Sequence, residues 1–209
     1  MVHYKLTYFA ARGFAEPSRQ ILHLAGVDFE DVRLPIGDPT WPELKNEVPF
    51  GQLPVLSIDG FKIPQSTAIL RYLGRKFGYA GKTPEEETWV DAIVDQFKDF
   101  IGVFRQYISA VLSNKSIEEQ ERIRKEISQP ACDGWFKVVT SLLEKSKSGY
   151  LVGDSLTFAD LVVADYTVIL ERNKFFDKSE HLKIAEHREK IHNLPKLRDW
   201  IATRPQTQF

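Results

Sequence analysis

Residues 53–66 have the sequence LPVLSIDGFKIPQS, which predicts two short strands, a tight turn and the start of a helix. Residues 55–58 and 61–63 are runs of strand-forming residues, and the Asp59-Gly60 dipeptide between them is favoured in two-residue hairpin turns. From Ser66 to Gly78, apolar residues recur at helical spacing. This stretch therefore predicts a β-hairpin followed directly by a helix.

The residues that precede this stretch predict an α/β unit. Residues 4–9 and 29–34 are typical of strands, and the helix between them begins near Glu16-Pro17, with proline at a position favoured in the first turn. That helix ends at Gly26. A polar, proline-rich loop that contains Trp41 follows. The order β-α-β, loop, β-β-α favours a mixed four-stranded sheet with helices, as in thioredoxin-like domains.

The second part of the chain has a purely helical pattern. Thr83-Pro84-Glu85-Glu86 combines capping-box spacing with proline at the first helical position, which predicts a long helix to about Leu112. A second helical pattern covers residues 117–147, with an interruption expected near Pro130. Another helix is predicted to begin at Thr157, where Asp160 can complete a capping box. Two further helices are predicted over residues 183–192 and 195–203.

The change of pattern near residue 80 predicts two domains. Residues 78–82 are interpreted as the linker, with a thioredoxin-like domain over residues 2–79 and an all-α domain over residues 81–209. No internal repeat or low-complexity tract interrupts either part.

Composition excludes several functional classes. The 209 residues carry 28 Lys and Arg against 29 Asp and Glu, a net charge of −1, which argues against a dedicated nucleic-acid-binding protein. Cys132 is the single cysteine, so the chain has no intramolecular disulfide, CxxC pair or zinc-finger site. We find no signal peptide and no apolar run long enough to span a bilayer, and we therefore expect a soluble cytoplasmic protein.

Five motifs in register along the chain resemble cytosolic glutathione transferases of the sigma class, most closely the nematode branch. They are YKLTYF at residues 4–9 ahead of Arg12-Gly13, PFGQLPVL at 49–56, Gln65-Ser66, SLTFAD at 155–160 and RPQT at 204–207. The resemblance implies that family's fold, a thioredoxin-like domain with a mixed four-stranded sheet followed by an all-α domain. It also implies a homodimeric detoxification enzyme that conjugates the glutathione thiolate to hydrophobic electrophiles.

The resemblance implies that Tyr8 is the catalytic residue. A free thiol titrates near 8.5, and a hydroxyl that donates a hydrogen bond to the sulfur favours the thiolate. The matching position holds Cys or Ser in other branches of the superfamily, so the tyrosine argues against mixed-disulfide chemistry. From spacing alone, Tyr8 is equally read as a half-buried strand tyrosine.

The resemblance also implies a set of glutathione-binding residues. A cis Leu53–Pro54 bond would turn the Leu53 backbone towards the extended peptide, and Ser66, at a helix start, would bind the γ-glutamyl carboxylate. From the residues alone, these two positions are also read as an ordinary loop proline and a helix N-cap. The expected binding residues are Tyr8, Trp41, Lys45, Gly51, Gln52, Leu53, Gln65 and Ser66, together with Asp99, which would reach the partner subunit's glutathione in a homodimer.

Some positions depart from the vertebrate prostaglandin D synthase that the chain also resembles. Phe14, Gln52 and Gln106 replace an arginine, a lysine and a tryptophan of that relative, which weakens a claim to prostaglandin isomerisation. Asp91 and Asp95 have the spacing of a divalent-metal site, but Lys98 stands where the relative has an acid. We therefore expect no metal, and glutathione as the co-substrate.

A pocket for the second substrate is expected between the two domains. The candidates for its lining are Phe9, Arg12, Gly13 and Phe14 on one side and Phe104, Tyr107 and Phe209 on the other. The alternative function is a ligandin-type carrier of haem or other hydrophobic molecules with little catalysis. A third reading, a non-catalytic structural relative such as a lens crystallin, is disfavoured because Tyr8, Gln65 and Ser66 are all present.

Overall fold

Four strands form one mixed sheet in the order β2-β1-β3-β4 in the computed structural model, which describes residues 2–209. Strand β1 (Tyr4–Phe9) runs parallel to β2 (Phe29–Leu34) and antiparallel to β3 (Val55–Ile58), and β3 pairs with the antiparallel β4 (Phe61–Pro64). Asp59 and Gly60 join β3 to β4 with φ of 48° and 91°. Aspartate and glycine tolerate this left-handed conformation, and the predicted hairpin is confirmed.

Three helices accompany the sheet. Helix α1 (Glu16–Leu24) connects β1 to β2, and α3 (Ser66–Phe77) follows β4 and packs against α1. The stretch predicted as a loop contains a helical turn, α2 (Trp41–Leu44). Pro42 lies at its start, where a missing N–H group costs no helical hydrogen bond.

Six helices form the second part of the chain. They are α4 (Pro84–Leu112), α5 (Ile117–Ile123), α6 (Gln129–Lys145), α7 (Phe158–Arg172), α8 (Leu182–His192) and α9 (Pro195–Thr203). The Thr83 side chain accepts a hydrogen bond of 3.2 Å from the Glu86 N–H, which caps α4 as predicted. The expected interruption near Pro130 is a π-helical turn at residues 124–128, just before the proline.

Helix α7 lies at the centre of the molecule, buried along nearly all of its length, and packs against α1, α4 and α8. The Asp160 carboxylate, fully buried in its first turn, accepts hydrogen bonds from the Thr157 N–H and the Leu151 N–H at 2.8 Å each. The same carboxylate lies 2.8 Å from His187 Nε2 of α8. One side chain thus fixes a helix start, the preceding loop and a neighbouring helix.

Buried charges join the two halves of the chain. Arg204 Nη1 lies 2.8 Å from Glu16 Oε1 of α1 and 2.6 Å from Asp165 Oδ1 of α7. Glu16 Oε1 also accepts a hydrogen bond of 2.7 Å from the Trp200 indole. These contacts hold the sheet domain, the central helix and the C-terminal segment in one arrangement, which fixes the walls of the groove described next. No helix within residues 2–209 has the length and apolar character needed to cross a membrane.

Candidate active site

A groove of about 370 Å³ lies between the carboxyl end of β1, the start of α3 and one face of α4. Eight of the nine predicted glutathione-binding residues line it: Tyr8, Trp41, Lys45, Gly51, Gln52, Leu53, Gln65 and Ser66. Residues 41–53 reach it from the connection between β2 and β3, whereas Gln65 and Ser66 reach it from the β4–α3 junction. The fold thus brings together residues that are up to 58 positions apart in the sequence.

Tyr8 lies at the end of β1 with 9% of its surface exposed. Its hydroxyl oxygen accepts a hydrogen bond of 3.4 Å from the Phe14 N–H, which leaves the phenolic proton available for donation into the groove. Burial raises the pKa of Tyr8, opposed by the Phe14 hydrogen bond and by the charges of Arg19 and Arg105. The phenol is therefore protonated at neutral pH and can donate a hydrogen bond.

The Leu53–Pro54 peptide bond is cis, as the resemblance implies. Leu53 lies just before β3, and its backbone N–H and C=O groups make no hydrogen bond to any residue within 2–209. An extended peptide in the groove can pair with these groups as an additional strand.

Gln65 and Ser66 form the end of the groove at α3. Gln65 has φ of 70° and donates a 3.0 Å hydrogen bond from Nε2 to Gln52 Oε1. A positive φ at a residue other than glycine costs on the order of 1–3 kcal/mol and is concentrated at functional sites. Ser66 is the first residue of α3 rather than its N-cap, which is Gln65, so the interpretation of Ser66 as a plain N-cap is wrong. The Ser66 N–H group therefore lies in the first turn, where helices bind carboxylates.

The groove is electropositive. Among residues 2–209, its lining includes Lys45, Lys98 and Arg105 and no carboxylate. The Lys45 stem lies against Gly51, where a Cβ would come within 3.1 Å of Lys45 Cγ and where φ is +60°. A glycine is therefore required for this packing. A groove with these three cations attracts anionic ligands.

The ninth predicted residue, Asp99, does not line the groove. It is an exposed residue of α4, next to the groove-lining Lys98. Asp91 and Asp95 are engaged by Arg71, whose Nε and Nη2 atoms lie 3.0 Å and 2.8 Å from them. In the part of the chain that the structure describes, no three or more His, Cys, Asp or Glu side chains are grouped to hold a metal ion.

A second cavity, also about 370 Å³, adjoins the groove and is largely apolar. The two cavities share Tyr8, Phe9, Phe14, Trp41 and Arg105. The remaining residues of the apolar cavity are Ala11, Gly13, Ile36, Gly37, Ile108, Leu112, Tyr166, Ile169 and Phe209. The Tyr8 phenol therefore lies between a polar groove and an apolar cavity.

The expected lining of this pocket is right for Phe9, Gly13, Phe14 and Phe209 and wrong for three residues. Arg12 is 1% exposed and donates hydrogen bonds towards Thr207. Phe104 and Tyr107 turn to Phe175, with ring centroids 5.0 Å and 4.8 Å away. Aromatic residues of α4 therefore pack in the core of the helical domain instead of lining the pocket.

The wall that α4 contributes to the two cavities was not predicted from the sequence. Lys98, Ile101, Arg105, Ile108 and Leu112 lie three or four positions apart and form one face of the helix. That periodicity was the available signal, but its mixture of cations and aliphatic residues does not distinguish a cavity wall from an ordinary surface. Tyr166 and Ile169 of α7 gave no such signal because nearly the whole helix is buried.

Known proteins match both the sequence and the fold. Models of the glutathione S-transferase N-terminal and C-terminal domains match residues 4–75 and 102–204. Glutathione S-transferase 3 of Caenorhabditis elegans is 52% identical over 209 residues, 100% of both chains. Monomeric Na-GST-3 of the hookworm Necator americanus is 48% identical with a TM-score of 0.90, over 99% of this chain and 100% of that one. A Nu-class GST from Haemonchus contortus is 49% identical with a TM-score of 0.87, over 100% of both chains.

Proposed function

This chain belongs to the glutathione S-transferase family, and we propose that Tyr8 activates glutathione for attack on apolar electrophiles held in the adjoining cavity. The observation that carries this proposal is the location of the Tyr8 hydroxyl between the electropositive groove and the apolar cavity. A thiol bound in the groove and an electrophile bound in the cavity would meet at this hydroxyl. The sulfur forms a bond to a carbon of the electrophile. In a substitution the leaving group departs with the bonding electron pair and the thiol proton is released, whereas in an addition the electrophile takes up that proton.

Glutathione binding follows from the lining of the groove. Lys45 and Trp41 contact the glycine end, the Leu53 backbone pairs with the cysteinyl residue, and Gln65 and Ser66 bind the γ-glutamyl carboxylate. Gly51 and Gln52 hold the loop against these residues. Each contact joins a carboxylate or a peptide group of glutathione to a cation or a hydrogen-bonding group of the protein.

Catalysis depends on the state of the thiol. The Tyr8 hydroxyl donates a hydrogen bond to the sulfur, which lowers the pKa of the thiol and increases the thiolate fraction at neutral pH. Holding both reactants at this hydroxyl replaces a bimolecular encounter by a step within the complex. We assign most of the acceleration to these two effects.

A homodimer is the assembly we propose, with Asp99 of each subunit reaching the partner's glutathione amine. Asp99 is exposed and makes no hydrogen bond or ion pair within residues 2–209, so its carboxylate is free for such a contact. One similar structure, Na-GST-3, is described as monomeric, so the mass in solution must be measured by light scattering. An Asp99→Asn variant that binds glutathione as tightly as the wild type would contradict the role of Asp99.

We infer the subclass and the setting from the motifs. They are most similar to the sigma class, and 49% identity to a Nu-class GST supports the nematode branch in particular. Detoxification in the cytoplasm is consistent with an apolar electrophile cavity and a chain with a single cysteine.

Tyr8→Phe tests the catalytic assignment. We expect the bound thiol to titrate well below free glutathione in the wild type and close to it in the variant, because the phenolic donor is lost. Ultraviolet absorbance of the thiolate against pH measures this, and conjugation rates should fall by about 10- to 100-fold, the loss that corresponds to one hydrogen bond to a charged group. Tyr4→Phe is the matched control, since Tyr4 is a buried tyrosine of the same strand outside both cavities. Unchanged turnover in Tyr8→Phe would rule out the assignment.

The alternative is a carrier of haem or other hydrophobic molecules, and the largely apolar second cavity is the observation that favours it. Fluorescence titration with haem and a conjugation assay, made on the same preparation, separate the two functions. Tight haem binding with negligible conjugation would favour the carrier.

A further inference from the structure

Arg105 is the one charged side chain among the described residues that line the apolar cavity. It lies on the face of α4 that forms a wall of both cavities, so it stands near the boundary between them. Gly102, one turn earlier, also lines the groove, and a Cβ built there would meet nothing within 4 Å. The surface beside Arg105 is therefore open to a ligand.

The Arg105 guanidinium is not occupied by another side chain. It makes no hydrogen bond and no ion pair with any residue from 2 to 209. Other arginines of the chain are engaged: Arg71, Arg188 and Arg204 each contact at least one carboxylate. Arginine has five donors in a planar fork that matches a carboxylate, and here none of them is used.

We propose that Arg105 is a specificity-determining residue that binds an anionic group of the second substrate. The preferred electrophiles would then have an apolar body with a carboxylate at one end. This inference rests on the proposed function and adds the chemical class of its second substrate.

The distribution of charge assigns Arg105 to the electrophile rather than to glutathione. Besides Arg105, the groove has two cations, Lys45 and Lys98, for the anionic groups of glutathione, whereas Arg105 is the one cation among residues 2–209 that lines the apolar cavity. A carboxylate that enters an apolar cavity unpaired loses its hydration without compensation. At the exposed guanidinium it keeps part of its hydration and gains a charge-assisted pair, while the apolar body packs against Tyr166, Ile169 and Phe209.

The electrostatic effect of Arg105 on Tyr8 also indicates that the guanidinium lies close to the Tyr8 hydroxyl. Burial raises the pKa of both Tyr8 and Tyr166, and the positive charge of Arg105 acts against this rise at both phenols. An anionic group bound at Arg105 would therefore place the rest of a short substrate beside the Tyr8 hydroxyl.

The test compares an aryl enone that carries a 4-carboxylate with the methyl ester of the same enone. We measure kcat and KM for both in the wild type, Arg105→Gln and Arg105→Lys. In Arg105→Gln the acid-to-ester ratio of kcat/KM should fall about tenfold, mostly through KM of the acid, as for the loss of one charged hydrogen bond. Arg105→Lys should restore part of the ratio, because it keeps the charge without the planar fork.

Lys98→Gln is the matched control, because Lys98 is a cation of the same helix face that lines only the groove. The acid-to-ester ratio should stay at the wild-type value there, whatever happens to KM for glutathione. The pKa of the bound thiol should rise much less in Arg105→Gln than in Tyr8→Phe, because Arg105 acts on the thiol only through its charge.

Two results would overturn the proposal: an unchanged acid-to-ester ratio in Arg105→Gln, or an equal loss for acid and ester with a raised thiol pKa. The second result would make Arg105 a thiolate-stabilising residue. The saturated analogue of the acid cannot react with glutathione. Its binding, measured by the quenching of tryptophan fluorescence, tests whether Arg105 binds the carboxylate when no conjugation takes place. If the wild type binds this acid more tightly than Arg105→Gln but does not conjugate, the proposed function fails and the anion site stands.

Discussion

Gly13 lies against the Tyr8 ring, and because glycine has no side chain, the phenol occupies the space where a Cβ would lie. A Cβ at position 13 would lie 2.8 Å from the Tyr8 hydroxyl oxygen, and the φ of 38° at this position also disfavours other residues. A side chain at position 13 would collide with the phenol and would also strain the backbone. Both effects would shift the Tyr8 hydroxyl away from the sulfur of bound glutathione.

We therefore expect Gly13→Ala to lower the conjugation rate by about 10- to 100-fold, at most the loss expected of Tyr8→Phe, because a displaced hydroxyl makes a weaker hydrogen bond to the sulfur. Gly78→Ala is the control, since Gly78 has a φ of 80° with nothing within 4 Å of its built Cβ. The control shares the backbone strain without the collision. Equal activity of Gly13→Ala and wild type would show that the hydroxyl is not held by this contact.

Single residues of the groove were predictable only through motifs. Tyr8, Leu53 and Ser66 belong to short segments whose resemblance to a family identified them, whereas spacing alone left each with an ordinary structural role. Arg105 had no such motif, and its side chain is exposed. Its environment is created by β1 and α7, which lie about 60 to 100 positions away in the sequence. A single sequence contains no local signal of that environment.

At the scale of elements, the start of α7 depends on one carboxylate. Asp160 accepts hydrogen bonds from two backbone N–H groups and the Thr157 hydroxyl, and it contacts His187. We expect Asp160→Ala to lower the free energy of unfolding by about 3–5 kcal/mol, the range for removing one partner of a buried charged network.

Urea denaturation followed by circular dichroism measures this loss. Thr157→Ala is the milder comparison, with an expected loss of about 1 kcal/mol, since it removes only the hydroxyl contact. A loss below that value in Asp160→Ala would contradict the role of Asp160 as the organiser of this region.

Local signals predicted most elements because their causes are local. The Asp59-Gly60 turn, the Thr83 cap and the proline-marked helix starts depend on residues within one or two turns. Helix α2 was not predicted, and the interruption near Pro130 was predicted without its π-helical form at residues 124–128. The π-helical turn coincides with a tertiary contact, in which Arg124 donates to the Asn173 carbonyl and stacks on Phe175. No pattern within those five residues specifies that contact.

At the scale of the whole molecule, His192 lies near the buried charges of Asp165 and Arg204, which join the two halves of the chain. The Nε2 atom of His192 is buried without a hydrogen-bond partner within residues 2–209. Burial lowers the pKa of His192 to about 4, and the surrounding charges are those of Asp165, Arg204, Arg188 and His187. The unfolded chain binds a proton at this residue near pH 6.5, and the folded chain does so only near pH 4.

The contribution of His192 to stability is therefore fully present above pH 6.5 and is lost as the pH decreases towards 4, because the unfolded state binds the proton more readily in this range. Part of the His192 side chain reaches solvent, and we expect a loss of about 2 kcal/mol across this window. Urea denaturation between pH 7.5 and 4.5 measures it. His192→Gln should flatten the profile, and a variant with the wild-type slope would assign the pH dependence to other groups.

The wall that the two cavities share also affects what happens after the bond has formed. A conjugate is both reactants in one molecule, so it keeps contacts in the groove and in the cavity at once. Its two ends act as linked ligands, and when one end detaches, the other keeps it at high effective concentration. Stable conjugates should thus act as bivalent competitive inhibitors, and their departure, rather than the chemistry, would limit turnover for the most apolar electrophiles.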